Sequence, residues 1–204
     1  MTNLRHLVWL AVLLFALTAC ATTRGTDSYT PINSAEQQRI TQLRRSKLEP
    51  VNTWDIKGLL AIEYANDGFT AGLKRKQYKD QFTISLTDPL GRTAARLNGN
   101  DAGVELAAQG KTYKARSATE LMRANLGWAL PLDSLYHWSK GIPDPNHPLT
   151  AVGYDTMGRP VMLIQDGWQV EFTRYSKDEV LAWPGLIRII RPDFKAKLSI
   201  SSRN

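Results

Sequence analysis

Few side chains in this sequence are suited to covalent chemistry. There is one cysteine, Cys20, and there are three histidines, His6, His137 and His147. Cys20 follows Leu17-Thr18-Ala19 and an apolar run from Leu7 to Leu17, with Arg5 and His6 ahead of it. The run is about half the roughly 20 residues a membrane-spanning helix needs, and it closes on small residues, so it reads as a secretory signal. A thiol directly after Leu-Thr-Ala resembles the bacterial lipobox. There the cysteine takes a diacylglycerol on sulfur, the signal is cut before it, and the freed amine is acylated. The competing reading is a general signal with a chance cysteine at the cut site. No second cysteine is present to draw Cys20 into an intramolecular disulfide. Two or more acyl chains anchor stably where one attaches only marginally. The sequence therefore predicts a signal over 1–19, a flexible tether over 20–33 from a lipidated Cys20, and a single globular domain over 34–204.

Catalytic constellations are thin. His6 leaves with the signal, His137 falls in a helical insert, and His147 falls in the Pro-rich stretch 142–148. No Gly-x-Ser-x-Gly or His-Glu-x-x-His occurs. Asp133 and His137 are spaced i, i+4, which a surface or helix-packing pair explains better than catalysis. No ligand cluster suggests a metal, and no cofactor is expected. An enzyme is not predicted. The net charge of +7 includes the departing Arg5. An exported protein does not normally meet nucleic acid, and neither Arg44-Arg45-Ser46-Lys47 nor Lys74-Arg75-Lys76 carries interleaved aromatics, so nucleic acid is set aside. Anionic lipid head groups or acidic partners suit the charge better.

The elements that must position anything follow from periodicity. Ser34 with Gln37 predicts a helix to about Leu48, with a thin apolar stripe of Ile40, Leu43 and Leu48. From Thr53 the period becomes two. Strands carrying Trp54, Ile56, Leu60 and Ile62, then Phe69, Ala71 and Leu73, then Phe82, Ile84 and Leu86, are separated by turn signals such as Asn66-Asp67-Gly68. Ala95 and Leu97, Val104 and Leu106, and Tyr113 and Ala115 continue the meander. Ser117 to Glu120 forms a capping box for a helix ending at Gly127, and Pro131 opens a short helix carrying Leu132, Leu135 and Trp138. Strands resume at about 150–155, 160–165, 168–175, 186–191 and 195–201, for about eleven antiparallel strands and two or three helices. Such a sheet brings more apolar positions inward than those helices can cover, which leaves room for a concave apolar surface. Leu90, at the tip of Asp88-Pro89-Leu90-Gly91, is either exposed or folded back onto the sheet.

Taken together, Leu86-Thr87-Asp88-Pro89-Leu90-Gly91, Ala94-Ala95-Arg96-Leu97, Leu126-Gly127-Trp128 with Leu130-Pro131-Leu132, Trp138 with Gly141-Ile142-Pro143, and Gln165-Asp166-Gly167-Trp168 resemble the outer-membrane lipoprotein receptor LolB family. The similarity runs from about Trp54 to Leu198. It implies a mainly β fold: one strongly curved antiparallel sheet, a half-open barrel, with helices covering its concave side. It also implies a lipid-anchored receptor on the outer membrane, facing the periplasm. Such a receptor accepts acylated lipoproteins from the periplasmic carrier LolA, holds their chains in an apolar cavity and delivers them to the membrane without nucleotide. Pro89, Leu90 and Gly91 match the family's insertion loop, and Ala21 is not the aspartate tied to inner-membrane retention. The cavity is expected to draw on Trp54, Ile56, Leu60, Phe69, Leu73, Phe82, Ile84, Leu86, Leu97, Leu106 and Trp168. A monomer is expected. Two departures bear on the lining: Arg75 stands where the family often has Trp, and the chain ends Ser201-Ser202-Arg203-Asn204 without a frequent terminal Trp. The alternative function is a structural or assembly lipoprotein that binds a protein partner through its sheet and has no acyl cavity.

Overall fold

A computed structural model describes residues 35–176 and 179–204. The signal, Cys20, the tether and the Ser34 cap lie outside the described residues. Eleven strands form one antiparallel sheet in the order β6-β5-β4-β3-β2-β1-β11-β10-β9-β8-β7, and the edge strands β6 and β7 do not pair with each other. The first half comprises β1 (Thr53–Tyr64), β2 (Asp67–Tyr78), β3 (Gln81–Thr87), β4 (Thr93–Asn100), β5 (Gly103–Ala108) and β6 (Lys111–Ala115). The second half comprises β7 (Leu149–Tyr154), β8 (Pro160–Gln165), β9 (Trp168–Thr173), β10 (Leu186–Arg191) and β11 (Phe194–Arg203). Helices α1 (Ala35–Leu48), α2 (Ala118–Leu126) and α3 (Leu132–Trp138) accompany them. The halves meet where β1 pairs with β11, a contact between chain positions more than a hundred residues apart.

Local chemistry explains most boundaries. The β8–β9 and β5–β6 hairpins close through Asp166-Gly167 and Gln109-Gly110, with positive φ at both residues of each pair, as a two-residue turn twisted to match its strands requires. The β1–β2 turn is Ala65-Asn66, one residue earlier than the Asn66-Asp67-Gly68 signal suggests; Asp67 already pairs with Tyr64. β9 stops at Thr173, short of the expected 175, because Arg174 takes a φ of 58° that no strand can continue. α2 has its cap: Ser117 Oγ accepts from Glu120 N at 3.2 Å, while Glu120 reaches back to the Arg116 amide rather than to that of Ser117. Gly127 ends it at φ 76°.

One cluster of buried apolar side chains joins Val104 on β5, Ile84 on β3, Ile62 on β1 and Leu163 on β8 with Leu121 of α2 and Leu135 of α3. A flat sheet eleven strands wide could not gather those positions, so the sheet curls and the helices fill its concave side. At Gly58 the β1–β11 register shifts, and a Cβ there would sit 2.1 Å from the Ser199 carbonyl oxygen. A bulge that only glycine fits therefore marks the seam between the halves. α1 departs from its predicted stripe at one position: Leu48 is buried as expected, but Leu43 stays 37% exposed, and α1 also buries Arg44. Its guanidinium donates to the carbonyls of Lys140, Gly141, Val180 and Ala182.

The second half is closed by a polar clamp. Trp138 Nε1 donates to Gln165 Oε1 at 2.9 Å, and the same oxygen accepts from Asp144 N at 3.0 Å. Gln165 Nε2 donates to the carbonyls of Asp144 and His147 at 2.8 and 3.0 Å. This amide has no exposure and no unused hydrogen-bonding group. Gln165→Leu keeps the volume but orphans four buried partners, so a loss of about 3 kcal/mol or more is expected in denaturant unfolding; a loss under 1 kcal/mol would show that the clamp is not what holds the 142–148 segment.

Candidate functional site

The inward residues of β1 to β5 do not meet across the sheet. Between them and the helices lies a cavity of about 470 Å³. β1 supplies Ile56, Leu60 and Ile62; β2 supplies Phe69, Ala71 and Leu73; β3 supplies Ile84 and Leu86; β4 and β5 supply Leu97 and Leu106. Their alternation follows the pleat, and pairing aligns them: Leu60 opposite Ala71, Leu73 opposite Leu86, Ile84 opposite Leu97. The roof is Leu121 and Met122 of α2, Trp128 and Leu130 of the connector, and Leu132 and Leu135 of α3. The lining includes the exposed Phe69, Pro89, Ala94 and Gln109 at one end and the buried Ile56, Arg75 and Ile84 at the other. The mouth is therefore at the first end, and the second is closed.

Eight of the eleven expected lining residues border this cavity: Ile56, Leu60, Phe69, Leu73, Ile84, Leu86, Leu97 and Leu106. Trp54, Phe82 and Trp168 do not. Trp54 is packed beyond the closed end, its ring 5.7 Å from Trp183 and 6.0 Å from Tyr136. Phe82 fills the space over Gly99, where a Cβ would meet its ring at 2.4 Å. Trp168 belongs to the filled half, edge-on to Phe194 at 5.6 Å and under the Arg191 guanidinium at 3.9 Å. Alternation puts all three inward but does not say what stands opposite. The converse miss is Trp128, a loop residue without periodicity, which packs on Phe69 and Phe194 at 6.3 and 5.4 Å. Ile62, Ala71 and the roof residues are further additions, and Arg75 is the one charged side chain buried in the lining.

At the mouth, Asp88 organises the insertion-loop candidate. Asp88 Oδ1 accepts from Leu90 N and Arg92 N, each at 2.9 Å, and Oδ2 accepts from Arg92 Nε at 2.8 Å. The Arg92 amide and then its guanidinium hold the Asp88 carboxyl below its usual range. Gly91 has φ 80° with open space around it, so conformation alone calls for glycine there. Pro89 touches the cavity, whereas Leu90 does not line it and is 77% exposed. The turn Asp155-Thr156-Met157-Gly158-Arg159 repeats this bonding pattern atom for atom. There α1 covers the tip through Ile40, which packs against Gly158. Exposure of Leu90 is thus not forced by the turn; nothing covers it.

Among the described residues, His137 and His147 form no catalytic arrangement. His137 faces Asp144 at 3.8 Å rather than Asp133, and His147 lies 3.8 Å from Asp144 and 3.6 Å from Asp166. Burial is the main cause of the lowered pKa of His137. Ser134 Oγ donates to Asp144, which acts as an acceptor in the clamp and not as the orienter of a base. Among the described residues no group of three or more His, Cys, Asp or Glu could hold a metal ion.

The open antiparallel sheet wrapped around short helices is similar in fold to a LolA superfamily protein from Nitrosomonas europaea, which matches with a TM-score of 0.50 at 7% identity, covering 82% of this chain and 92% of that one. A putative outer membrane lipoprotein-sorting protein domain from Vibrio parahaemolyticus matches equally, at 11% identity over 81% and 90%. The sequence narrows the class. Residues 52–202 match the family described as Outer membrane lipoprotein LolB. The outer-membrane lipoprotein LolB of Nitrosococcus oceani is 35% identical over 83% of this chain and 85% of its own, and that of Pseudomonas aeruginosa 32% over 92% and 90%. The chain belongs to the outer-membrane lipoprotein LolB family. Its role is in lipoprotein handling at the outer membrane, as a receptor or chaperone and not as an enzyme.

A cavity and a filled core respond differently to added volume. Ala71→Leu, inside the cavity, is expected to cost about 1 kcal/mol or less, whereas Ala196→Leu, 2% exposed in the packed half, should cost about 3. Thermal unfolding of the two variants compares them; equal large losses would mean that the β1–β5 side is packed as tightly as the rest.

Proposed function

We propose that the chain is a receptor that takes acylated lipoproteins from the periplasmic carrier LolA, holds their acyl chains in the β1–β5 cavity and inserts them into the outer membrane without nucleotide. The observation that carries this reading is the apolar cavity of about 470 Å³ opening beside an uncovered leucine. Each exposed CH₂ of an acyl chain costs about 0.8 kcal/mol in water, so transit needs cover. One-way transfer without an energy source needs a descending series: carrier, receptor, bilayer. A cavity walled on one side by two short helices holds chains, yet keeps an open mouth through which they leave. Leu90, held rigidly by Asp88 at that mouth, offers its side chain to the bilayer. Cys20 carries the lipid anchor, with residues 20–33 as the tether, and the body faces the periplasm as a monomer. A structural lipoprotein gripping a protein partner has no use for such a cavity, and no observation favours it.

Leu90→Glu separates delivery from uptake. Melting temperature and lipoprotein uptake are expected near wild type, because the side chain is exposed, while insertion into liposomes is blocked. A large drop in melting temperature would make Leu90 a packing residue. Cys20→Ala behind a generic secretion signal is expected to give a soluble, folded protein that still accepts lipoprotein from the carrier. Failure of the folded variant to accept it would place the anchor within the cargo site.

A further inference from the structure

The run Lys74-Arg75-Lys76 divides between the two faces of the sheet. On β2 the pleat turns Arg75 inward and sends Lys74 and Lys76 to the convex side, where both are exposed. Strand register sets further cations beside them. Lys57 of β1 stands directly opposite Lys74, and Arg96 of β4 lies in the same row, with Ser85 of β3 between. Lys197 of β11 stands opposite Ala61 of β1 on one side and Arg188 of β10 on the other. Lys57, Lys74, Lys76, Arg96 and Lys197 are all exposed, and among the described residues no carboxylate forms an ion pair with any of them. Neighbouring cations differ: Lys114 pairs with Glu105 at 3.3 Å, Arg188 with Glu171 at 3.4 Å and Lys195 with Glu63 at 3.8 Å. Apart from Glu63, the one carboxylate at an outward position of β1 to β4 is Asp55, opposite Lys76.

Like charges directly opposite on paired strands are destabilising, and Lys57–Lys74 and Arg188–Lys197 both carry that cost. An anionic partner relieves it. A protein partner needs a buried apolar centre as well as charge. Here the exposed large apolar side chains are Leu59 and Tyr78, whose rows lie six residues, or about 20 Å, apart along β2, so no such centre forms. Lysine ammoniums are point charges that demand no matched geometry, which suits the head groups of a fluid bilayer. The place of the face agrees. Ser85, in the row of Lys57, Lys74 and Arg96, precedes Asp88 by three residues, which puts the row about 10 Å from the turn that presents Leu90. That is about one screening length at physiological salt. We propose that the convex face of β1–β4 and β11 binds the head groups of anionic phospholipids through Lys57, Lys74, Lys76, Arg96 and Lys197. It tilts the body so that this face and the Leu90 turn meet one bilayer. This rests on the reading that Leu90 is offered to the membrane; the cavity takes no part in it.

The test uses the Cys20→Ala chain and sedimentation with vesicles of phosphatidylcholine alone or mixed equally with phosphatidylglycerol. Binding to the mixed vesicles is expected to be about a hundredfold tighter or more, and to weaken as salt is raised. Lys57→Gln, Lys74→Gln and Arg96→Gln together should cut that preference by about fivefold per cation. Melting temperature should hold or rise, because the three side chains are exposed and a like-charge pair is removed. Uptake of lipoprotein from the carrier should stay at the unsubstituted level. Should the triple variant not fold, Lys74→Gln alone is read in the same way, for a fivefold loss. Equal binding to the two kinds of vesicle, or an unchanged preference in the folded variant, overturns the lipid face and leaves the receptor reading standing. Loss of carrier uptake with the vesicle preference intact makes the face a dock for an acidic protein and overturns it too. A preference lost in the variant, beside an unsubstituted chain that takes no lipoprotein from the carrier, supports the face and overturns the receptor reading instead.

Discussion

The structure turns on an imbalance between one sheet and two short helices. Eleven strands curl into a concave face whose inner positions are almost all apolar, and α2 and α3 supply sixteen residues to cover it. Under β8–β11 the cover is complete: Trp138, Phe172, Ile187 and Leu163 show no exposure, and Gln165 locks the overlying segment. Under β1–β5 it is not: Leu121, Met122, Leu132 and Leu135 of the helices and Ala71, Leu73, Ile84 and Leu97 of the sheet face one another across the cavity. Hydrophobic burial therefore stabilises one half as a core and leaves the other as a cavity. The seam between them is the β1–β11 pairing with its bulge at Gly58.

The two aspartate-centred turns show how local chemistry and tertiary cover separate. Asp88 and Asp155 each bind the amides two and four residues on and the following arginine side chain. Both turns are stiff for the same reason. One lies under α1, the other is bare. A stiff turn holding an uncovered leucine at a cavity mouth differs from a flexible loop with a stray apolar residue. It presents about 1.5–3 kcal/mol of unrealised burial at a fixed place.

Charge inside this fold is handled in two ways. Arg44 and Lys140 are buried because backbone carbonyls need donors where α1, the α3 exit and the 180–182 segment converge; burial pushes the pKa of Lys140 down to about 8 while Val51 and Glu49 keep it bonded. Those cations hold elements together. Arg75 joins no elements through hydrogen bonds beyond its own strand, since its one partner is Gln77, two residues away. Its position is set by the rings of Trp54 and Phe82 and by the pleat.

By itself the sequence determined what short-range physics controls. Period-two alternation placed all eleven strands within a few residues, Asp-Gly and Gln-Gly set two hairpins, and Ser117 and Gly127 bounded α2. The motif order from Trp54 to Leu198 carried the family, and Pro-Leu-Gly marked the turn whose leucine is exposed. Where the chain misled, a longer-range neighbour decided. Leu48 docks α1 as its stripe requires, but beside it Leu43 is exposed and Arg44 is buried, because carbonyls some hundred residues away need donors. Trp54, Phe82 and Trp168 point inward as alternation requires, yet each meets a ring or a guanidinium and not the open space. Trp128 has no period at all and lines the cavity from a connector. Alternation fixes which face a side chain takes. What stands opposite depends on how the sheet curls and where the helices settle, and only the tertiary structure decides that.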